Sequence, residues 1–374
     1  MLHTRAAAQL TRSIIRRRLS ADRRGERRHH TAYYRQLWTA AAAHVDAPIR
    51  AVEDGYLEIT LATLTVRVRG THCSIDDRDA LQRAGDKVLV HRLLAQAGLP
   101  APEHLVFTLP DLHRARRFLA EAPAACVVKP GQDSAAGAGV TTGVRTDADL
   151  ASAAAVAAEA AARTARIDRS GNPLAVMATM YGQLPKVPLL IERQVPGANY
   201  RLLFLDGELV DAIRRGVPSV VGDGLSTVAE LLKEHNEQRL REGGVRGQLL
   251  VSQDLDCRRT LAEQGLTLSS VPAAGAAVRI KTTINQTAAD TNSPAADELD
   301  SSIIADAAQA ARIVGVRWAG VDVLTPDPSV PLAESGGRIL EVNTTPGLAM
   351  HHHGKPGQVE PAKVLLERLC ESVR

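Results

Sequence analysis

WAGVDVL at residues 318–324 and RILEVNTTPG at residues 338–347 are two apolar segments that each carry acidic or amide side chains. Both alternate as β-strands do, and Glu341 and Asn343 are two residues apart, so on a strand they point to the same face. If the two strands are neighbours, Asp322 joins them. Two carboxylates and an amide oxygen are hard donors that suit Mg²⁺. The same alternation is also typical of the polar face of an exposed strand, so both interpretations stay open at this point.

Lysine is scarce in this chain, with seven residues against 38 arginines, and two of the seven stand at informative places. Lys129 ends the apolar segment CVVKP and precedes the glycine-rich segment GQDSAAGAGVTTG at 131–143, while Lys87 opens a helical segment that Asp86 caps. An ammonium group beside glycines that expose backbone N–H groups suits a phosphate. The pattern therefore indicates a phosphate-binding loop, with a plain turn as the alternative.

The composition is that of a globular chain with more than one domain. Of 374 residues, 45% are hydrophobic and 23% are charged, which excludes a collagen-like or wholly disordered protein. No run approaches the roughly 18 consecutive apolar residues that a membrane-spanning helix needs, so we expect no membrane contact. Four scattered cysteines without a CxxC spacing argue against a disulfide framework and a thiolate zinc site. We therefore expect a cytoplasmic protein.

The first 35 residues form a basic arm. They carry ten arginines and two acidic residues, a net charge of +8, whereas the rest of the chain has 35 basic and 40 acidic residues and sums to −5. Clustered arginines suit the phosphates of nucleic acid or of a membrane surface, and an Arg-rich start also resembles a targeting peptide. A solvated, flexible extension is the simpler interpretation. We assign the arm no function and do not expect nucleic acid as a partner.

The rest of the chain alternates irregularly between helical and strand patterns, which is typical of an enzyme of several α/β or α+β parts. Residues 36–85 predict a small N-terminal α/β domain, with a helix in RQLWTAAAAHV and two strands in GYLEITLATLTVRVRG. The Asp206-Gly207 pair predicts a hairpin turn within YRLLFLDGELVDAIRR.

Several segments in order along the chain resemble the ATP-grasp superfamily of carboxylate–amine ligases, and more closely the ATP-grasp region of cyanophycin synthetases. The segments are DKVLVHRLLAQAGLPAP (86–102), VVKP (127–130), GAGV (137–140), LLIERQVPG (189–197), YRLLFLDGEL (200–209), AGVDVL (319–324) and ILEVNTTPGLAMH (339–351). The resemblance implies an α+β fold in which two subdomains sandwich ATP behind a small N-terminal domain. It places the ATP-grasp domain at 86–374, with a lid subdomain at about 120–198 and a C-terminal subdomain at about 199–374.

The resemblance also implies roles for individual residues. The expected nucleotide-binding residues are Lys87 and Lys129 for the phosphates, Gly137 and Gly139 in a covering loop, Glu192 and the backbone at Val195 for adenine, and Asn199 for the ribose. Relatives usually carry an acidic residue where Asn199 stands. The expected ligands of Mg²⁺, or of Mn²⁺ in its place, are Asp322, Glu341 and Asn343. The candidates for substrate carboxylate or phosphoryl groups are Arg201, Arg214 and Arg215.

The implied function is an ATP-dependent ligase that joins an amino-acid or peptide carboxylate to an amine through an acyl phosphate. A small-molecule kinase on the same fold and a nucleotide-binding subunit without catalysis are the alternatives. Two departures stand out: the glycine pair that relatives carry after the asparagine matching Asn285 is replaced in NQTAADTN, and no G-x-x-x-x-G-K-[ST] motif is present. Alternating addition of two amino acids is therefore not expected from this chain alone. Relatives lead us to expect a homo-oligomer.

Overall fold

The structure is a computed structural model and describes residues 21–132, 137–164, 186–241, 250–282, 291–352 and 356–373. The helices are α1 (Ala21–His44), α2 (Arg78–Gly85), α3 (Lys87–Gln96), α4 (Leu112–Ala120), α5 (Asp147–Thr164), α6 (Val228–Arg241), α7 (Leu255–Ala262), α8 (Ser301–Val314), α9 (Leu332–Ser335) and α10 (Pro361–Ser372).

The strands form four sheets. An N-terminal sheet holds β1 (Ile49–Ala51), β2 (Leu57–Leu61), β3 (Leu64–Arg69) and β4 (His72–Cys73) in that order. A second sheet, which we call the lid sheet after the subdomain that the resemblance implies there, has the order β5 (His104–Phe107), β8 (Leu189–Arg193), β6 (Cys126–Pro130) and β7 (Thr141–Val144). A central sheet has the order β13 (Ser293–Pro294), β10 (Glu208–Arg215), β9 (Ala198–Leu205), β14 (Trp318–Thr325) and β15 (Arg338–Asn343), and β11 (Ser219–Val221) pairs with β12 (Ala277–Arg279).

Helix α1 begins earlier than the sequence predicts. It starts at Ala21, so the boundary that we set at residue 35 falls inside a helix, and residues 1–20 of the basic arm lie outside the described residues. Tyr34, Trp38 and Ala41 follow one another at helical spacing and are buried against the N-terminal sheet. Arginine is a good helix former. A run of arginines can therefore be the beginning of an amphipathic helix, although its high charge resembles that of a disordered arm.

The lid sheet contains β5, which precedes the predicted lid limit of about residue 120. Strand β5 pairs with β8, whose residues lie far along the chain, as in His104 opposite Glu192. Helices α4 and α5 cover this sheet through a cluster that includes Phe107, Leu150 and Ile191. Strands that pair across such a long stretch of sequence leave no local pattern. The sequence therefore predicts a start of the lid subdomain, at about residue 120, that lies after β5.

The central sheet has two faces of different character because side chains alternate along each strand. Tyr200, Leu202 and Phe204 of β9 are buried on one face in a core with Val321 of β14 and with helix α8. Arg201 lies between them in the sequence and therefore points to the opposite face, where the candidate site lies. The predicted hairpin is confirmed: β9 and β10 are antiparallel, and Asp206 and Gly207 turn between them with φ of 53° and 82°.

Candidate active site

Residues 318–324 and 338–343 lie on neighbouring strands, which is the condition under which Asp322 joins Glu341 and Asn343. Strands β14 and β15 are antiparallel, with Asp322 opposite Glu341 and Gly320 opposite Asn343. All three predicted ligands therefore lie on one face of the sheet. Asp322 is buried, whereas Glu341 and Asn343 are half-buried and form the open side of the group.

Arg201 makes a two-pronged contact with Asp322. Its Nε and Nη2 atoms donate to the two carboxylate oxygens at 2.5 and 2.7 Å, and both side chains are buried. Arg215 stands next to them, with its Nη1 3.6 Å from Asp322 Oδ1. Burial by itself would raise the pKa of Asp322, but the two guanidinium groups outweigh that effect and hold the pKa below its ordinary value. Burial lowers the pKa of Arg215 to about 10, so it is still a cation at neutral pH.

Arg214 is not part of this group. It follows Ile213 and precedes Arg215 on β10, pairs with Tyr200 across the hairpin and is exposed. Neighbouring side chains on a strand point to opposite faces. The structure therefore brings Arg201 and Arg215 to the site and leaves Arg214 on the other face, contrary to the prediction.

Helix α3 places Lys87 against the metal-ligand group. The Asp86 carboxylate caps the helix by accepting from the Leu89 backbone N–H at 3.0 Å, which confirms the predicted helix start. The backbone N–H of Lys87 donates to Gly131 O, so the helix begins at the glycine-rich segment. The buried Lys87 ammonium lies 2.9 Å from Glu341 Oε1.

The lid sheet contributes a second buried ion pair. Lys129 Nζ on β6 lies 2.8 Å from Glu192 Oε2 on β8. His91, one turn after Lys87 on α3, lies 3.9 Å from that oxygen and 3.3 Å from Leu340 O of β15. Burial lowers the pKa of His91 to about 2, with help from the Lys129 charge, so the ring is neutral. Helix α3 thus touches both sheets and joins the two ion pairs in one cleft.

The structure describes the second half of the glycine-rich segment, residues 137–143. Gly137 and Gly139 have φ of 69° and 79°, and a Cβ added at Gly139 would lie 2.5 Å from Ala160 Cβ of α5. The absence of a side chain at Gly139 therefore lets the segment lie directly on α5. Residues 133–136, at the centre of the predicted loop, lie outside the described residues.

Val195 and Asn199 lie on the connection between the two sheets. Val195 is half-buried between β8 and β9, and Asn199 pairs with Leu324 and Arg215 on the site face of β9. Asn199 Oδ1 is buried and has no hydrogen-bond partner among the described residues.

No family model matches this chain. It is 33% identical over 275 residues to cyanophycin synthetase of Trichormus variabilis, which covers 72% of this chain and 27% of that protein. It is 30% identical over 274 residues to the bifunctional glutathione-biosynthesis protein of Mannheimia succiniciproducens, covering 71% and 32%. The chain therefore spans between a quarter and a third of the length of these relatives.

Among solved structures, the chain resembles a bifunctional glutathione synthetase from Pasteurella multocida with a TM-score of 0.51 and 23% identity, over 88% of this chain and 42% of that one. The chain has the ATP-grasp fold. Its sequence resembles the cyanophycin synthetases, as the motifs indicate.

The ATP-grasp cleft of this chain has a donor set that fits Mg²⁺. Asp322 and Glu341 offer carboxylate oxygens, and Asn343 Nδ2 donates to Gly320 O at 3.3 Å, which leaves its amide oxygen for a cation. Across the part of the chain that the structure describes, no three His, Cys, Asp or Glu side chains converge on a metal site.

Sequence reasoning missed His91. Its spacing of four from Lys87 puts both on one helix face, and that signal was available. The pairing of His351 with Asp211 was not predicted either. They are 140 residues apart and meet only in the folded chain.

Proposed function

We propose that this protein is an ATP-dependent ligase that activates an amino-acid or peptide carboxylate as an acyl phosphate and transfers the acyl group to an amine. The observation that carries the proposal is the alternation of charge in the cleft. Lys87, Lys129 and Arg201 each face a carboxylate, those of Glu341, Glu192 and Asp322 respectively. Cations for phosphates and oxygen donors for a metal are thus interleaved at one place.

The chemistry of amide formation explains why a cleft of fixed cations and oxygen donors is enough for the reaction. A carboxylate is a poor electrophile because its charge repels an amine. Transfer of the γ-phosphoryl group of ATP to a carboxylate oxygen gives an acyl phosphate and ADP. The amine then attacks the acyl carbon, the C–O bond to phosphate breaks, and the ammonium proton leaves to solvent, giving an amide and inorganic phosphate. Each step develops charge on oxygen, so fixed cations lower the barrier by positioning and stabilisation.

The residues take roles that follow from where they lie. Lys87 and Lys129 would contact the phosphates, and Glu192 with the backbone at Val195 would contact the base, because these line the cleft between lid and central sheets. Asp322, Glu341 and Asn343 would hold Mg²⁺, whose contribution at such a site is to neutralise phosphate charge. Arg201 and Arg215 would face the reacting carboxylate.

Buried ion pairs cost desolvation energy and are weak evidence for stability. Three of them around one cleft are better explained by ligands that separate the partners: the lysines would move to phosphates, Glu341 and Asp322 would move to a cation, and Glu192 would turn to the base. A nucleotide-binding subunit without catalysis would not need the metal donors as well. A kinase would need them, but it would form a stable phosphorylated product and would not need an amine.

Oxygen-18 separates the ligase from the kinase. Amino acids and short peptides labelled with ¹⁸O in the carboxylate are incubated with the protein, Mg²⁺, ATP and an amine pool, and the released phosphate is analysed by mass spectrometry. A ligase transfers one ¹⁸O atom to inorganic phosphate as the amide forms. A stable phosphorylated product with no amide would contradict the proposal and support a kinase.

The substrates, the cellular location and the partners of the protein are also part of the proposal. The relatives are named for cyanophycin and glutathione synthesis, so amino acids and short peptides are the substrates to test first. None of the described helices has the length and apolar composition that a bilayer crossing requires. We still expect a cytoplasmic homo-oligomer that does not bind nucleic acid.

A further inference from the structure

The segment after Asn343 crosses the site face of the central sheet. We call residues 344–352 the crossing loop. Pro346 lies over β14, because a Cβ added at Gly320 would be 3.1 Å from Pro346 Cβ. Leu348 packs with Leu203 of β9, and His351 reaches Asp211 of β10. The loop therefore runs from the metal-ligand strand β15 to the far side of the sheet, over the face that carries the candidate site.

One buried hydrogen bond between an imidazole and a carboxylate ties the end of this loop to the sheet. His351 Nδ1 lies 2.5 Å from Asp211 Oδ2, and both side chains are buried. With the Asp211 carboxylate as acceptor, Nδ1 carries the proton. His351 Nε2 is also buried and has no hydrogen-bond partner in the described part of the chain. The contact with Asp211 is thus the polar contact that sets the orientation of the ring.

Neighbouring parts of the loop are held by other elements. The Ala349 backbone N–H donates to Tyr34 Oη of α1 at 3.3 Å. The Asn292 amide donates to Met350 O at 2.9 Å. The loop therefore has anchors to α1, to the segment before β13 and to β10, and the last is the one that uses a charged side chain.

A buried carboxylate–imidazole pair is a poor way to gain stability, since apolar side chains of similar volume would do as well or better. A polar pair instead specifies one position of the loop, because any other leaves a buried charge without a partner. The loop directly follows Asn343, the last residue of β15, so a shift of the loop would also shift this predicted metal ligand.

We infer that His351 is a positioning residue for the ligation reaction: held by Asp211, it keeps the crossing loop, and with it Asn343, in the arrangement that the reaction needs. The kinetic part of this inference rests on the proposed function. His351 does not exchange a proton with the substrate.

Three variants at one position test it. His351→Asn keeps a donor near the place of Nδ1, His351→Gln moves the amide towards the place of Nε2, and His351→Ala removes both. We expect His351→Ala and His351→Gln to lower kcat roughly 10- to 100-fold, as small misplacements at active sites do, with the KM for ATP changed less than about twofold. His351→Asn should stay within about threefold of the natural protein and keep its pH–rate profile. A His351→Asn variant as defective as His351→Ala, or one that loses a limb of the pH profile, would overturn the inference, as would a fully active His351→Ala.

Hydrogen exchange tests the anchor without turnover. In the natural protein and in His351→Asn, amides of the crossing loop should be protected, and in His351→Ala they should exchange roughly tenfold faster or more, with helix α8 unchanged as the internal control. Unchanged exchange in His351→Ala would overturn the anchor. If exchange responds as expected while no carboxylate yields an amide, the anchor is supported and the proposed function is the part that fails.

Discussion

Lys129 is the buried lysine of the lid sheet that we propose for the phosphate site. Its ammonium neutralises the buried Glu192 carboxylate at 2.8 Å, and the same charge is available to a phosphate. We predict that Lys129→Met lowers the rate of ADP formation by about 100-fold or more, the scale seen when one transition-state donor is removed. The measurement is a coupled ADP assay with Mg-ATP and the accepted substrates.

The control for Lys129 is a second substitution at its partner. Lys129→Met leaves Glu192 as a buried unpaired carboxylate, which costs stability. The double variant Lys129→Met with Glu192→Gln should recover the melting temperature but not the activity. Near-normal ADP formation by Lys129→Met would remove this lysine from the phosphate site.

Asp322 predicts a specific pH dependence of stability. Its pKa is lower in the folded protein than in the unfolded chain, because Arg201 and Arg215 outweigh the effect of burial. The stabilisation is therefore complete above the unfolded pKa of about 3.9 and is lost as the pH falls through the lower folded pKa. Asp322→Asn should flatten the fall of the unfolding free energy below about pH 4, measured by urea denaturation.

Asp306 is the control, because its pKa shifts on folding in the direction opposite to that of Asp322. Burial raises its pKa, so protonation favours the folded state there. Asp306→Asn should slightly steepen the acid limb of the stability curve. An acid limb that Asp322→Asn leaves unchanged would show that the Asp322–Arg201 pair does not form in solution.

At this scale, the residues that sequence could predict are those with a local signal. Asp322, Glu341 and Asn343 follow from strand alternation, and Lys129 from its place at a strand end. Arg214 lies on the opposite face of β10 from Arg215, because adjacent side chains of one strand point to opposite faces. The pairing of His351 with Asp211 depends on a loop crossing three strands, which no local pattern encodes.

Among the elements, the glycine-rich segment and helix α5 depend on each other. Gly139 lies where a Cβ would be 2.5 Å from Ala160 Cβ, with φ of 79°. We predict that Gly139→Ala raises the KM for ATP several-fold, because the segment must move off α5 to make room. Gly98 also has a positive φ but nothing within 4 Å, so Gly98→Ala shares the backbone penalty, about 1 kcal/mol, without the clash. Equal KM values for the two variants would contradict the packing.

Elements with a strong local pattern were predicted well, and those defined by distant partners were not. Helix α3 has its cap at Asp86, and the β9–β10 hairpin has its Asp-Gly turn, so both are confirmed. Strand β5 joins the lid sheet through β8, and the paired residues His104 and Glu192 are 88 positions apart in the chain. The predicted start of helix α1 lies too far along the chain, because the basic residues of its first half resemble a solvated arm.

For the molecule as a whole, helix α1 is part of the core. Tyr34 and Trp38 pack with Leu203 of the central sheet and Leu365 of α10. Deletion of residues 1–44 should therefore abolish cooperative unfolding, whereas deletion of residues 1–20 should leave the melting temperature and the activity nearly unchanged. The two truncations are compared by calorimetry. A large loss from the shorter one would overturn the interpretation of the basic arm as a solvated extension.

The measurement that tests the central claim most directly is hydroxylamine trapping. The protein is incubated with Mg-ATP, a pool of amino acids and short peptides, and hydroxylamine, and the products are analysed by mass spectrometry, with Lys129→Met as the matched control. Acyl-phosphate chemistry predicts a hydroxamate of one carboxylate together with an equal amount of ADP, both absent from the control. ADP accompanied by a stable phosphorylated compound and no hydroxamate would contradict the account.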